Sequence, residues 1–250
     1  GYTMDHQLGI SGGKDNTSYY FSGGYFDQKG ILIGSDFKRY STRFNLDSQV
    51  KKWLRAGVSS NITRSIQNVT LADAAESTIW WSTLQNPLIP VKSLDGTWAG
   101  NYTVGGYAYT ADNPVATSSS RGNKTVQSQI FGNIYADIIF MEGLSLRNEF
   151  SYQIGMRNSI AFQYEANIGT RSLQAQLYDN RNNSYYYAVR NYLNYNKTLG
   201  KHKLAFTGGH EAQYSYWEQM GGKKVDLQNN ILDMNAGGTD KLTWDLTGGK

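Results

Sequence analysis

The sequence contains no cysteine and only three prolines among 250 residues. Without cysteine there is no disulfide, no thiolate metal site and no cysteine nucleophile. So few prolines exclude Pro-rich linkers and a collagen-like chain. Charge is scarce as well: 18% of residues are Asp, Glu, Lys or Arg, against ~25% in an average soluble domain. Apolar residues, at 39%, also fall below the usual ~45–50%. No apolar run approaches the ~18 residues of a membrane-spanning helix. The net charge is only +4, and the 24 Lys and Arg are scattered rather than blocked, so no nucleic-acid partner is expected. The three histidines, His6, His202 and His210, lack metal-ligand spacing, and no G-x-S-x-G elbow is present. No metal, cofactor or catalytic residue is therefore expected, and the chain does not read as an enzyme.

Glycine (27), tyrosine (19) and small polar residues fill the gap. Aromatics reach 14% and net charge is low, which argues against disorder. This composition suits antiparallel strands with one wet face.

Period-two alternation runs through most of the chain. Tyr40, Thr42, Phe44 and Leu46 face away from Arg39, Ser41, Arg43, Asn45 and Asp47. Leu54, Ala56, Val58 and Ile62 alternate with Arg55, Ser59 and Asn61. Ile130, Ile134, Ile138 and Phe140 oppose Gln127, Gln129, Asn133 and Asp137; Leu144, Leu146, Phe150 and Tyr152 oppose Ser145, Arg147, Glu149 and Ser151. The pattern returns around Tyr187–Tyr195 and Leu204–Tyr214, and two earlier strands are expected near 5–13 and 17–26. That makes about eight strands of 10–16 residues. Ordinary strands run ~5–6 residues, whereas a tilted strand crossing a bilayer needs ~9–11.

Tight turns are expected at 14–16, 49–52, 141–143 and 199–202. Between them lie longer segments: 27–36, 67–124, 157–184, and 218 onward. Short and long alternate, as in outer-membrane barrels with short periplasmic turns and long extracellular loops. Tyr40, Trp53, Phe140, Tyr152, Tyr187 and Trp217 lie where interfacial aromatics would sit. In the long 67–124 loop, Thr70 reads as the N-cap of a short helix running through Ile79, Trp80, Trp81 and Leu84, with Asp73 in the capping-box position. Trp80, Trp81, Trp98, Tyr102, Tyr107 and Tyr109 concentrate there. They either contact a solute or partner, or form the loop's own small core. Arg39, Arg43, Arg55, Arg147 and Glu149 on the polar face either meet a plug or solute, or pair with one another.

Several runs carry a family resemblance. His6-Gln7-Leu8-Gly9-Ile10-Ser11-Gly12-Gly13 resembles the N-x-x-S-x-S-G-G entry of the SusC/RagA family, the TonB-dependent outer-membrane transporters of Bacteroidetes. Thr17–Ile31 is similar to its YY-x-S-x-G-Y-x-x-Q-x-G-I, and Phe37–Asp47 to F-x-R-Y-x-x-R-x-N-x-D. Asn86-Pro87 with Asp95-Gly96, and Tyr195–His202 with Gly209-His210-Glu211, resemble later family motifs. The resemblance touches most of residues 5–215.

It implies an all-β fold: an antiparallel transmembrane β-barrel segment, about eight long strands of a larger barrel, with long extracellular loops. Residues 1–250 would be a partial barrel domain, a fragment lacking the plug, the remaining strands and any signal peptide. The implied function is part of a SusC-like transporter importing oligosaccharides or peptides across the bacterial outer membrane. The implied partners are outer-membrane lipid, a SusD-like surface lipoprotein, and the TonB complex acting through the missing N-terminal region. The alternative reading is a soluble all-β carbohydrate-binding module with Trp80, Trp81 and Trp98 as its platform.

Overall fold

The computed structural model describes residues 1–70, 78–100, 102–104, 107–109, 112–227, 230–236 and 242–249; at 102–104, 107–109, 242 and 245 only the backbone is considered. One nine-stranded sheet dominates. Its strands are β1 (Thr3–Lys14), β2 (Thr17–Lys29), β3 (Asp36–Lys51), β4 (Leu54–Val69), β7 (Arg121–Met141), β8 (Leu144–Gln163), β11 (Gln176–Leu199), β12 (His202–Val225) and β13 (Leu242–Gly249). The sheet order follows the chain, β1-β2-β3-β4-β7-β8-β11-β12-β13. Every neighbouring pair is antiparallel, so the sheet is a plain up-and-down meander. All eight expected strands are present, and β13 is a ninth.

The strands outrun their sequence-based bounds. β7 and β8 have 21 and 20 residues, and β11 and β12 have 24 each. The connections still alternate. Two-residue turns at 15–16, 52–53, 142–143 and 200–201 form one end; segments 30–35, 70–120, 164–175 and 226–241 form the other. Gly143 and Gly200 take φ of +81° and +60° in their turns, a region that favours glycine. Backbone bonds also knit neighbouring turns into a rim: Gln49 N–H to Asn16 O, Ile139 N–H to Trp53 O, and Asn196 N–H to Gly143 O, at 2.7–2.8 Å.

Register fixes which residues share a face, because directly paired residues point the same way. One row reads Leu46, Val58, Ile134, Phe150, Val189 and Ala212; the next reads Ile10, Phe21, Phe44, Ser60, Gly132, Tyr152, Tyr187 and Tyr214. Closer to the turns lie Leu54, Ile138, Leu146 and Leu193. From Leu54 to Ile62, nine residues of β4 cover roughly 30 Å of strand, or ~20 Å of height at a typical 45° tilt. That is close to the ~25 Å apolar band of a membrane barrel.

Among the described residues, nothing covers this band. Leu8 is 73% exposed, Ile134 51% and Phe206 57%. The total surface is 16261 Å², whereas a compact 28.0 kDa protein exposes roughly 11,000 Å². A soluble sandwich would put a second sheet on the apolar face, and the described residues place none there. Aromatic stacking joins the band at Phe150–Tyr187 (6.1 Å, 13°) and Tyr185–Tyr216 (6.1 Å, 21°). Tyr40, Tyr152 and Tyr187 lie on this outer face, and exposed Trp53 and Phe140 sit at the turn end. Trp217 does not join them: it pairs with Ser184, in line with Gly155 and Gln129, on the polar face.

Glycine and tyrosine work together in the sheet. A Cβ on Gly57 would lie 2.5 Å from the Tyr135 ring, which crosses β4 above that glycine. Tyr152 likewise passes over Gly132 and donates to Ser60 Oγ at 3.0 Å. Rings also cover the directly paired glycines at Gly12–Tyr19 and Gly209–Tyr192. Flat rings over missing side chains stiffen a wall that has no core behind it.

Among the described residues, both packed cores lie at the loop end. The long segment contains α1 (Thr78–Leu84), the hairpin β5 (Tyr102–Val104) with β6 (Tyr107–Tyr109), and α2 (Pro114–Ser120). The expected helix is seen from Thr78; its first turn, including Asp73, lies outside the described residues, and buried Thr70 donates to Ile33 O at 2.8 Å. A second hairpin, β9 (Ala166–Ile168) with β10 (Arg171–Leu173), follows β8. Ala116, Ile168 and Leu173 form one core, with Trp98 and Ala166 packed on it. Ala175, Leu177 and Leu227 form another, with Ile160, Phe162, Leu232 and Met234.

Candidate functional site: the polar face and the loop cap

The polar face splits into two halves. Towards the turns, charges of both signs form a ladder across six strands. Asp47 on β3 accepts from Arg55 Nε on β4 at 2.9 Å and from the Tyr135 hydroxyl on β7. Arg147 on β8 lies 4.0 Å from the Tyr135 ring centroid and contacts Asp137 at 3.6 Å and Glu149 at 3.5 Å. Arg190 on β11 then bonds Glu149 at 3.3 Å, Ser151 at 2.9 Å and Glu211 on β12 at 2.7 Å. Four carboxylates thus meet three guanidiniums. Side chains on adjacent paired positions reach each other without reorganising, so each bridge orders the next.

Of the five polar-face candidates, Arg55, Arg147 and Glu149 are in this ladder. Arg39 and Arg43 are not. Arg39 stacks over Phe26 at 5.4 Å, and Arg43 has no carboxylate partner among the described residues. The partners Asp47, Tyr135, Asp137, Arg190 and Glu211 were missed in the sequence. Their polar parity was visible, but which residues meet depends on the register between strands.

At the loop end the segments lock together. Thr78 and Ser118 hydroxyls join α1 to α2 at 2.8 Å. Asn113 caps α2, accepting from Val115 N–H at 3.0 Å and Ala116 N–H at 3.1 Å. Its amide also donates to Val91 O at 2.6 Å and Ala99 O at 2.8 Å, so this fully buried side chain is satisfied. Arg171 pairs with buried Asp112. Glu165 N–H donates to Asn230 Oδ1 at 2.6 Å, tying the third long segment to the fourth. Buried Lys224 donates to Met234 O at 2.8 Å. In the exposed Asp95–Thr97 turn, the Thr97 hydroxyl at 2.6 Å and backbone N–H at 3.0 Å hold the Asp95 carboxyl below its usual range.

Among the described residues, the three loop tryptophans have different surroundings. Trp98 bridges Lys92 and Ile168 through its backbone, takes the Lys92 ammonium 4.6 Å from its ring, and packs on the Ile168 core. Trp80 is 50% exposed on α1. Trp81 is half-buried, and its indole N–H finds no partner among the described residues. Tyr102, Tyr107 and Tyr109 fall on the β5–β6 hairpin, where only the backbone is described.

A cleft of about 700 Å³ opens on the polar face beneath the β9–β10 hairpin. Arg121, Asn123, Gln163, Arg171, Gln176 and Tyr178 are among its polar lining, and Leu173 among its apolar lining. Among the described residues, no three His, Asp or Glu converge as a metal site.

These features describe a wall with a lipid-type face and a polar face. No family model matches the chain. TonB-dependent receptor P3 of Formosa agariphila is 29% identical over 85% of this chain. TonB-dependent receptor SusC of Bacteroides thetaiotaomicron is 24% identical, also over 85%. The chain is thus similar to TonB-dependent receptors of the SusC type. It spans 22% and 23% of those two relatives. The solved RagAB peptide transporter shares the fold, with a TM-score of 0.78 and 21% identity over 98% of this chain and 28% of the other. The segment is accordingly an antiparallel stretch of outer-membrane β-barrel with long extracellular loops.

Proposed function

We propose that this segment is part of the barrel wall of a SusC-like importer that takes up oligosaccharides or other large nutrients. The observation that carries the reading is the bare apolar band on one face, set against a charged ladder on the other. The band would meet lipid. The ladder would face a plug domain contributed by chain outside residues 1–250, and its surplus carboxylate suits a plug cation. The segment from about 67 to 124 would form an extracellular loop beneath a SusD-like surface lipoprotein. There exposed Trp80, with Trp81, Tyr102, Tyr107 and Tyr109, would meet the lipoprotein or the solute, and Trp98 would hold the loop's shape. TonB would supply energy through the N-terminal region. The segment itself would carry out no bond chemistry.

The test is made on the intact receptor in its own outer membrane. Affinity purification should recover a surface lipoprotein with it, and deletion of its gene should abolish uptake of at least one labelled oligosaccharide or peptide. An unpartnered receptor whose loss leaves the uptake of every such solute unchanged would end this reading.

A further inference from the structure

Charge is sorted by face at the loop end of the strands. From β2 to β12, above the row that contains Arg43, every strand carboxylate points outward: Asp27, Asp36, Asp179 and Glu218 lie on the apolar-face register. The polar-face positions of the same stretch hold Arg39, Arg43, Arg121, Arg157 and Lys223, and no Asp or Glu; on β1, Asp5 lies on the polar face in line with Arg39, two strands away. Arg39, Arg43, Arg157 and Lys223 have no carboxylate partner among the described residues. Arg39 and Lys223 instead lie over the rings of Phe26 and Tyr178, at 5.4 and 5.0 Å. This is the reverse of the ladder nearer the turns, where every guanidinium is paired.

Spacing adds to the pattern. Arg39 and Arg157 occupy one row three strands apart, roughly 14 Å at ~4.8 Å per strand. Arg43 lies four residues from Arg39, and Lys223 pairs in line with Ala161, four residues beyond Arg157, about 13 Å of strand in each case. The cations are thus spread along a path rather than gathered around one small ion. Amides share their rows: Asn61 and Gln153 with Arg43, and Gln127, Asn182 and Gln219 with Arg39 and Arg157. Amides bond hydroxyls in either direction, and the flat rings of Phe131 and Tyr186 in the Arg43 row offer stacking faces. Low-dielectric walls of one charge sign concentrate the opposite sign.

We propose that the extracellular half of the polar face is a conduit for an anionic oligosaccharide, with Arg39, Arg43, Arg157 and Lys223 contacting its carboxylate or sulfate groups. This rests on the importer reading and names its substrate class. The test uses the intact receptor and four labelled hexamers: a uronic-acid sugar, a sulfated sugar, a neutral sugar and an acidic peptide. At least one acidic sugar should bind about tenfold more tightly than the neutral one, since each charge-assisted bond is roughly twice as strong as a neutral one. The R43Q/R157Q double variant should lose that preference, and R43K/R157K should restore most of it. Lys124→Gln, on the outer face, should leave it intact. The preference should also shrink as salt rises. Equal binding of neutral and acidic sugars, tighter binding of the peptide, or a folded R43Q/R157Q receptor that keeps its preference would overturn the proposal. Import of neutral sugar without a charge preference would leave the importer reading standing and remove only this one; import of no hexamer would count against both.

Discussion

Ile134 in the wall and Ile168 in the loop cap have the same side chain and opposite surroundings. Ile134 is 51% exposed, in a row of apolar neighbours that includes Phe150 at 39% and Val189 at 45%. Ile168 is completely enclosed by Ala116, Leu173 and Trp98. The cap is finished by its own residues; the wall is finished by something outside the chain. A water-facing sheet cannot leave so long an apolar band open, and an outer-membrane barrel wall carries just such a band. The difference also explains why the chain is short of apolar residues. Its apolar residues cover one side of a single layer rather than the inside of a packed core.

The largest effect that breaks this comparison is a charge in the band. Ile134→Arg should cost ~2–4 kcal/mol at the bilayer midplane and prevent formation of the folded, heat-modifiable receptor. Gln129→Arg, on the other face of the same strand, should assemble normally on the same gel. Equal tolerance would remove the lipid assignment. Next comes Gly57→Ala. The new methyl lies 2.5 Å from the Tyr135 ring, and overpacking of this kind costs about 1–3 kcal/mol. The urea midpoint of the folded receptor should fall, and adding Tyr135→Ala should recover part of the loss, a coupling that a double-mutant cycle reads directly. The smallest effect sharpens the contrast most finely. Ile168→Val should cost about 0.5–1.5 kcal/mol and raise protease sensitivity of the loop cap. Ile134→Val should change neither, because fluid acyl chains fill the missing methylene.

The parts legible in the sequence were those on which the membrane imposes period two. Leu54 through Ile62 and Leu144 through Ile154 alternate because one face meets lipid, and their parity agrees with the observed register. Above the band that constraint ends. Asn180-Arg181-Asn182-Asn183 and Gly221-Gly222-Lys223-Lys224 are polar or small on both faces, so the long extensions of β11 and β12 carried no signal. β13 is short and follows them. Trp217 was assigned by its type to the aromatic girdle, although the even positions of Leu204, Phe206, Ala212 and Tyr214 already put it on the opposite face. The ladder's members were readable as polar-face residues. Their pairing was not, since Tyr135 reaches Asp47 across an entire strand and only because residue 57 is glycine.

The absence of cysteine makes the most direct test clean. Single cysteines placed in turn from Leu54 to Ile66 in the intact receptor, in native outer membrane, would be reacted with a membrane-impermeant thiol reagent after opening the periplasmic side. Positions 55, 57, 59, 61, 63 and 65 should label, and 54, 56, 58, 60 and 62 should be protected by lipid. Uniform labelling along β4, or protection with no two-residue period, would contradict the assignment of this sheet as a barrel wall with one face in the membrane.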